Sequence, residues 1–244
     1  MLRPLKANPL LKGSVLKNPN TVNILIGYDS KEIAAYHVLS QSLIKHSSLP
    51  LSITPIALDN VASIFTRERN SLQSTEFSFS RFLAPYLCNF EGWSIFMDCD
   101  IIARKDIAEL WALRDEQYSV MVCKHDYQPK EDVKFLGQVQ TKYEKKNWSS
   151  VMLFNNSRCT NLTPDYVSTR SGLELHQFKW LDGDHQIGGL PLKWNHLVGV
   201  YDYDPEAALV HYTEGGPYFA DYADCDYADE WNAILNETTS VAQK

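Results

Sequence analysis

Ser94-Ile95-Phe96-Met97-Asp98-Cys99-Asp100 carries an apolar run straight into two carboxylates one residue apart. Read as a strand, the run alternates its side chains with period two, so Asp98 and Asp100 lean to the same side. Two hard oxygen donors at the end of a buried strand suit a divalent cation that keeps positions open for phosphate oxygens. The pattern therefore points to chemistry on a diphosphate. By itself D-x-D is common and marks many solvated turns, so its neighbours decide the reading.

Upstream, Thr21 to Gly27 (T-V-N-I-L-I-G) reads as a buried strand, followed by a turn at Tyr28-Asp29-Ser30. Ser30 fits an N-cap, and Lys31 to His46 has helical spacing through Ile33, Tyr36, Leu39, Leu43 and Ile44. Pro50 ends that unit, and Leu51 to Leu58 reads as a second strand. Ser78 to Asn89 then reads as a helix, Ser94 to Met97 as a third strand, and Asp106 to Leu113 as a helix. Strands alternating with helices imply a mostly parallel α/β sheet. Ligands of such sheets bind beyond the carboxyl ends of the strands, which places Tyr28, Asp29, Asp98 and Asp100 on one rim. Beyond Asp115 the short strands Tyr118 to Cys123 and Ser150 to Phe154 are separated by long polar loops, as expected of a substrate-facing part of the same sheet. The expected organisation is an irregular arm over 1–20, one domain over 21–235 divided near residue 115, and a tail over 236–244.

With 244 residues the chain can bury a full core. A net charge of −7 argues against a nucleic-acid surface as the main partner. The charge is unevenly spread: up to Tyr28 it is all basic (Arg3, Lys6, Lys12, Lys17), whereas Tyr201 to Trp231 holds nine acidic residues and no Lys or Arg. The acidic stretch fits either a cation site or a solvated face, and the basic arm leaves room for peripheral contact with an anionic membrane. Five scattered cysteines without a C-x-x-C, no signal peptide and no run long enough to span a membrane indicate a reduced, cytoplasmic protein. On that reading the sequons at Asn147, Asn155, Asn161 and Asn236 are coincidental. Aromatic residues make up 12% of the chain, enough to line a carbohydrate cleft as well as a core. Oligomeric state is left open.

Four further segments bear on chemistry. Arg81, in Ser80-Arg81-Phe82-Leu83-Ala84-Pro85-Tyr86-Leu87, has a planar fork suited to phosphate or sugar oxygens; its plain alternative is a surface ion pair. Asn147 to Asn155 is a strand with polar residues at both ends. Leu181-Asp182-Gly183-Asp184-His185-Gln186 packs carboxylates and an imidazole into one loop, able to position sugar hydroxyls or simply to cap a helix. His211, in Val210-His211-Tyr212-Thr213-Glu214-Gly215-Gly216-Pro217, is a candidate third metal ligand, with Gly215 and Gly216 allowing backbone N–H groups to approach phosphate.

Together these segments resemble the GT-A nucleotide-sugar glycosyltransferases, most closely the family 8-like group of retaining enzymes. The resemblance runs from about Val22 to Trp231 and is most specific where Arg81-x-x-x-Pro85 leads into Asp98-Cys99-Asp100. Leu190-Pro191-Leu192-Lys193-Trp194-Asn195 is similar to the family's L-P-x-x-W-N segment. The implied fold is α/β of GT-A type, a single domain whose Rossmann-like nucleotide-binding half and acceptor-binding half share one continuous mixed sheet. The implied reaction moves a hexose from a nucleotide sugar, UDP-linked, to a glycan or glycolipid acceptor, with retention. Asp98, Asp100 and His211 would hold Mn²⁺ or Mg²⁺ against the donor diphosphate. Tyr28 and Asp29 would meet base and ribose, Arg81 the phosphate or donor sugar, and Gly215 and Gly216 the phosphate. Asp184 and Gln186 would face the reacting sugar, with Asn155 nearby. Two departures stand out: Gly216 occupies the place of the family's diphosphate-binding Lys, and the acidic loop reads Asp184-His185-Gln186 in place of Asp-Gln-Asp.

Two other readings compete. A haloacid-dehalogenase-type phosphatase would use Asp98 as nucleophile and Asp100 as general acid, but that group puts its D-x-D on the first strand and a Thr or Val where Ile102 stands. A non-catalytic sugar-nucleotide or glycan-binding module on the same fold would explain the missing Lys, but not the presence of both aspartates and His211.

Overall fold

The structure is a computed structural model and describes residues 21–68, 73–126, 133–134, 138–139 and 144–240. The arm expected over 1–20, and residues 241–244 of the expected tail, lie outside them. In chain order the first half runs Val22–Gly27 (β1), Ile33–His46 (α1), Leu51–Ile56 (β2), Leu58–Val61 (α2), Ala84–Leu87 (α3), Trp93–Met97 (β3), Ile101–Ala103 (β4) and Ile107–Ala112 (α4). The second half runs Val120–Cys123 (β5), the antiparallel pair Val133–Lys134 (β6) and Gln138–Val139 (β7), then Val151–Asn155 (β8), Pro164–Thr169 (α5), Gly172–His176 (α6), Ile187–Leu190 (β9), His196–Leu197 (β10), Leu209–His211 (β11) and Ala228–Thr239 (α7).

Six strands form the main sheet in the order β2-β1-β3-β8-β5-β9. β1 lies parallel to both β2 and β3, with Ile26 opposite Pro55 on one side and Met97 on the other. Every residue of β3, β5 and β8 is buried, as expected for central strands covered on both faces. Pro55, which has no N–H to give a ladder, stands on the edge strand. β8 runs antiparallel to β3 and β5, so the sheet is mixed, as the family resemblance implied and strand–helix alternation alone did not. From β1 the chain passes to β2 on one side and to β3 on the other. The crevice between β1 and β3, at their carboxyl ends, is thus the switch point where such sheets bind ligands.

A small sheet, β10-β11-β4, stands beyond that crevice. The chain crosses from β3 into β4 through Asp98-Cys99-Asp100, and β11 pairs antiparallel with β4, setting His211 opposite Ile101. Helix α1 supports both sheets. Its stripe at Ala35, Val38, Leu39, Ser42 and Leu43 is buried, and Ser42 Oγ accepts the Ala103 N–H at 2.9 Å. Ile33 and Ile44, expected on the inner face, are exposed instead.

Several boundaries differ from expectation for local reasons. Ser30 does not cap α1; its hydroxyl bonds Glu76 at 2.6 Å, and the helix begins after Glu32. The helix expected over 78–89 is broken, because Pro85 has no N–H to return to the Arg81 carbonyl. Ala84 donates to that carbonyl instead, giving a 3₁₀ turn at Ser80–Leu83 and a single α turn after it, closed by Asn89 and Phe90 in left-handed conformation. α7 runs through residue 235 to Thr239, and Lys45 of α1 pairs with its Glu237 at 2.6 Å, so the start of the expected tail is helical. Of the late aromatics, Trp194, Tyr212 and Trp231 are buried in the core, whereas Tyr203 is exposed. All five cysteines are free thiols. Among the described residues no helix is long and apolar enough to cross a membrane.

Candidate active site

The end of β3 and the end of β11 meet at Asp98, Asp100 and His211. All three are buried, and one ligand atom from each lies within 4.8 Å of the others. Backbone pairing fixes them: Asp98 N–H donates to Ser150 O, and Tyr212 N–H to Asp100 O, each at 2.9 Å. The imidazole of His211 is aimed from behind. Its Nδ1 lies 2.9 Å from Asn195 Oδ1, an acceptor only, so Nδ1 carries a proton. Nε2 has no hydrogen-bond partner among the described residues and lies 3.3 Å from Asp100 Oδ1. In the neutral imidazole this sets two lone pairs against each other, an arrangement that a cation between them relieves. Two carboxylates and one imidazole nitrogen form a donor set that fits Mn²⁺ or Mg²⁺.

Asn195 belongs to a buried chain of polar groups. Its Nδ2 donates to Ser150 Oγ at 2.8 Å and to the Asn147 carbonyl at 3.2 Å, and lies 3.0 Å from His125 Nε2. His125 Nδ1 in turn meets the Tyr201 hydroxyl at 2.8 Å. Burial first, then the nearby His211 and His196, push the His125 pKa down to about 3. A neutral His125 can therefore accept from the Asn195 amide while holding Tyr201 with its other nitrogen.

Arg81 is no surface residue. Its guanidinium is 2.8 Å from Asp98 Oδ1, donates to the Ser149 carbonyl at 2.9 Å, and lies 5.2 and 5.3 Å from the ring centroids of Phe77 and Phe96. With the Asp98–Asp100–His211 cluster it borders a cavity of about 260 Å³. Its wall also includes Arg67, the segment before the 3₁₀ turn (Gln73, Thr75, Ser78, Phe79), Lys146, Asn147, Ser149 and Ser150, and the start of α6. Asn147 is in left-handed conformation at φ 63°, which its short amide tolerates. Its Nδ2 is buried at the wall without a hydrogen-bond partner among the described residues. His176 lies beneath, bonded to Ser149 Oγ at 2.8 Å. Burial, then the charges of Arg81 and Lys146, hold its pKa well below the ordinary value, so it is neutral.

The other expected residues fall elsewhere. Tyr28 and Asp29 do reach the same rim as Asp98, because β1 and β3 end side by side. Both Asp29 oxygens are engaged at 2.9 Å, by the N–H groups of Lys31 and Glu76, so the carboxylate clamps the loop above the crevice. Tyr28 packs edge-on against Tyr36. Gly215 donates its N–H to Tyr212 O. A side chain at Gly215 or Gly216 would collide with the rings of Tyr222 or Tyr218, at 2.6 and 2.3 Å, so both glycines make room for packing. Asp184 is held by Lys145 at 2.6 Å, with 72% of its side chain exposed, and Gln186 accepts the Asp182 N–H; neither lines the cavity. Asn155 is not near the cluster at all. Because β8 is antiparallel, Asn155 stands opposite Trp93 at the far end of β3, bonded to Glu116 at 2.8 Å.

Sequence reasoning missed Arg67, Lys146 and His176 on the cavity wall and the link from Asn195 to His211. Asn195 had a signal, the L-P-x-x-W-N segment. Arg67-Glu68-Arg69 and Lys145-Lys146 carry no motif that sets them apart from other charged residues.

Residues 14–215 match the family model described as "Glycosyl transferase family 8". Protein CDI of Arabidopsis thaliana is 45% identical over 241 residues, covering 95% of this chain and 91% of that protein. Among solved structures, the bifunctional glycosyltransferase WbbM superposes with a TM-score of 0.64 at 14% identity, covering 96% of this chain. This chain spans only 51% of WbbM. The galactosyltransferase LgtC, in complex with donor and acceptor sugar analogs, superposes with a TM-score of 0.57 at 11% identity, covering 91% of this chain and 98% of LgtC. At these identities the two structures speak to the fold alone.

Proposed function

This chain belongs to glycosyl transferase family 8 and has the GT-A fold, and we propose on that footing that it moves a hexose from a UDP-sugar to a glycan or glycolipid acceptor, with retention, in the presence of Mn²⁺ or Mg²⁺. The observation that carries the reading is the buried Asp98–Asp100–His211 group at the wall of a cavity that also holds Arg81. The phosphatase alternative falls with the fold.

In this proposal Asp98, Asp100 and His211 would hold the metal, which would supply charge neutralisation for the departing nucleoside diphosphate. Asn195 keeps His211 in the tautomer that offers Nε2. Tyr28 lies on the rim for the base, and Asp29 positions the loop that closes over it. Arg81 fixes Asp98 and the Ser149 carbonyl, keeping the entrance to the strand-end crevice rigid. The Asn147 amide is placed to donate to a sugar hydroxyl. Asp184, tied to Lys145, and Gln186 lie outside the cavity lining and take an outer role toward the acceptor; Asn155 takes no part.

Asn195→Ala should weaken Mn²⁺ binding about 10- to 100-fold, the usual effect of losing the group that orients a ligating imidazole. Asn195→Asp restores an acceptor for His211 Nδ1 but sets an oxygen against the Asn147 carbonyl, and should recover only part of that affinity. Calorimetric titration of the metal measures both; equal affinity in wild type and the Ala variant would remove Asn195 from this role.

The donor reading is tested by thermal unfolding against nucleotides and nucleotide sugars with and without Mn²⁺. A ligand at a hundred times its Kd adds about 2.7 kcal/mol, which for a chain of this size raises Tm by roughly 5–10 °C. Metal-dependent stabilisation by uridine nucleotides is the expected result. No stabilisation by any nucleotide with metal present would contradict the reading.

A further inference from the structure

The cavity has a second charged wall that the Asp98–Asp100–His211 cluster does not explain. Arg67 lines it, half-buried, with its guanidinium carbon 3.8 Å from the ring centroid of Phe79. That ring has its place because residue 172 is glycine: a Cβ there would stand 2.7 Å from it. Nη1 of Arg67 donates to the carbonyls of Val167 and Arg170 at the end of α5. Those bonds fix the plane of the fork but use one nitrogen. Among the described residues no carboxylate pairs with Arg67, and its Nε and Nη2 donate no hydrogen bond. Arg81, by contrast, is already paired with Asp98. Lys146 lines the same cavity, and the charges of Arg81, Lys146 and Arg67 all bear on His176. Burial pulls the Arg67 guanidinium below its ordinary pKa, the direction expected of a charge that has lost water.

We propose that Arg67, assisted by Lys146, is a second anion-binding point of the donor cavity and takes a phosphoryl or carboxylate group of the nucleotide sugar through Nε and Nη2. A planar fork held from one side by carbonyls and from below by a ring is suited to bidentate contact with such oxygens. The inference rests on the donor reading above. The oxygens have two sources: the diphosphate common to all nucleotide sugars, or the carboxylate of a uronic-acid sugar.

Calorimetric titration of the full chain in saturating Mn²⁺ separates them, with uridine, UDP, UDP-glucose and UDP-glucuronate as probes. Arg67→Gln should weaken the anionic ligand ten- to a hundredfold, as loss of a charge-assisted contact does. Lys146→Gln should weaken it less, and Arg67→Lys should retain part of the affinity, with uridine unaffected in all three. Equal losses for UDP, UDP-glucose and UDP-glucuronate assign the site to the diphosphate; a loss confined to UDP-glucuronate assigns it to the sugar carboxylate. Affinities within twofold of wild type in both Gln variants would overturn the proposal. So would an equal loss in Arg67→Gln and Arg67→Lys that extends to uridine, because that marks a structural defect. A wild-type protein that binds none of the four probes would overturn the donor reading itself, and this site with it.

Discussion

Asp100→Asn is expected to cut sugar transfer about a thousandfold and to leave the metal-free protein as stable as wild type. A bound metal contributes several kcal/mol of charge stabilisation to the departing group, and each 1.4 kcal/mol is a factor of ten in rate. Asn keeps the size and shape of Asp but offers a neutral oxygen. Without metal, Asp100 shares a buried site with a second carboxylate, Asp98, within the 4.8 Å span of the cluster. Neutralising one of two like charges there relieves repulsion. Steady-state rates alongside Tm measured in chelator check both halves. Transfer within tenfold of wild type would remove Asp100 from the metal site.

Arg81→Ala should behave in the opposite way, losing stability as well as activity. Arg81 and Asp98 form a buried pair at 2.8 Å with side chains 7% and 11% exposed. Removing one member of such a pair leaves the other charge buried and uncompensated, at a cost of about 3–5 kcal/mol. For a chain of this length that lowers Tm by roughly 6–20 °C. Asp98→Asn strips Arg81 of its counter-ion and should destabilise for the same reason, so Asp98 and Asp100 part company although they are two residues apart. Combining Arg81→Ala with Asp98→Asn should cost less than the sum of the single changes, because neither charge is then stranded. Additive losses in thermal unfolding would show that the two side chains do not act as a pair.

The contrast between these aspartates also marks what the sequence can disclose. Apolar runs that end in polar residues were enough to place Tyr28-Asp29 and Asp98-x-Asp100 on one rim, because buried parallel strands leave little else for such runs to be. His211, 111 positions after Asp100, was a candidate from its place before a Gly-Gly-Pro turn, and family resemblance joined it to the aspartates; physically it arrives because β11 pairs with β4, which no local pattern announces. Asn155 went astray for a related reason. The sense of β8 relative to β3 decides which end of that strand faces the crevice, and its composition reads the same in both directions. Arg81 was found but misjudged in its alternative, since its burial depends on Phe77 and Phe96, whose rings pack beside it. Asp184 and the two glycines were assigned by motif, whereas Lys145 and the rings of Tyr218 and Tyr222 determine what they touch. Arg67 and Lys146 carried no signal, because a charge at a cavity wall and a charge in solvent look alike in a sequence.

On the proposed function, Asp98, Asp100 and His211 would hold a metal against a nucleotide-sugar donor that this protein turns over. The most direct test of that function is release of UDP from UDP-hexoses by the wild-type chain, with Mn²⁺ and with chelator, beside Asp100→Asn as control. The account predicts turnover of at least one donor that needs the metal and is lost in the variant. Tight, metal-dependent binding with no turnover of any donor would contradict it and mark the protein as a binding module on a glycosyltransferase fold.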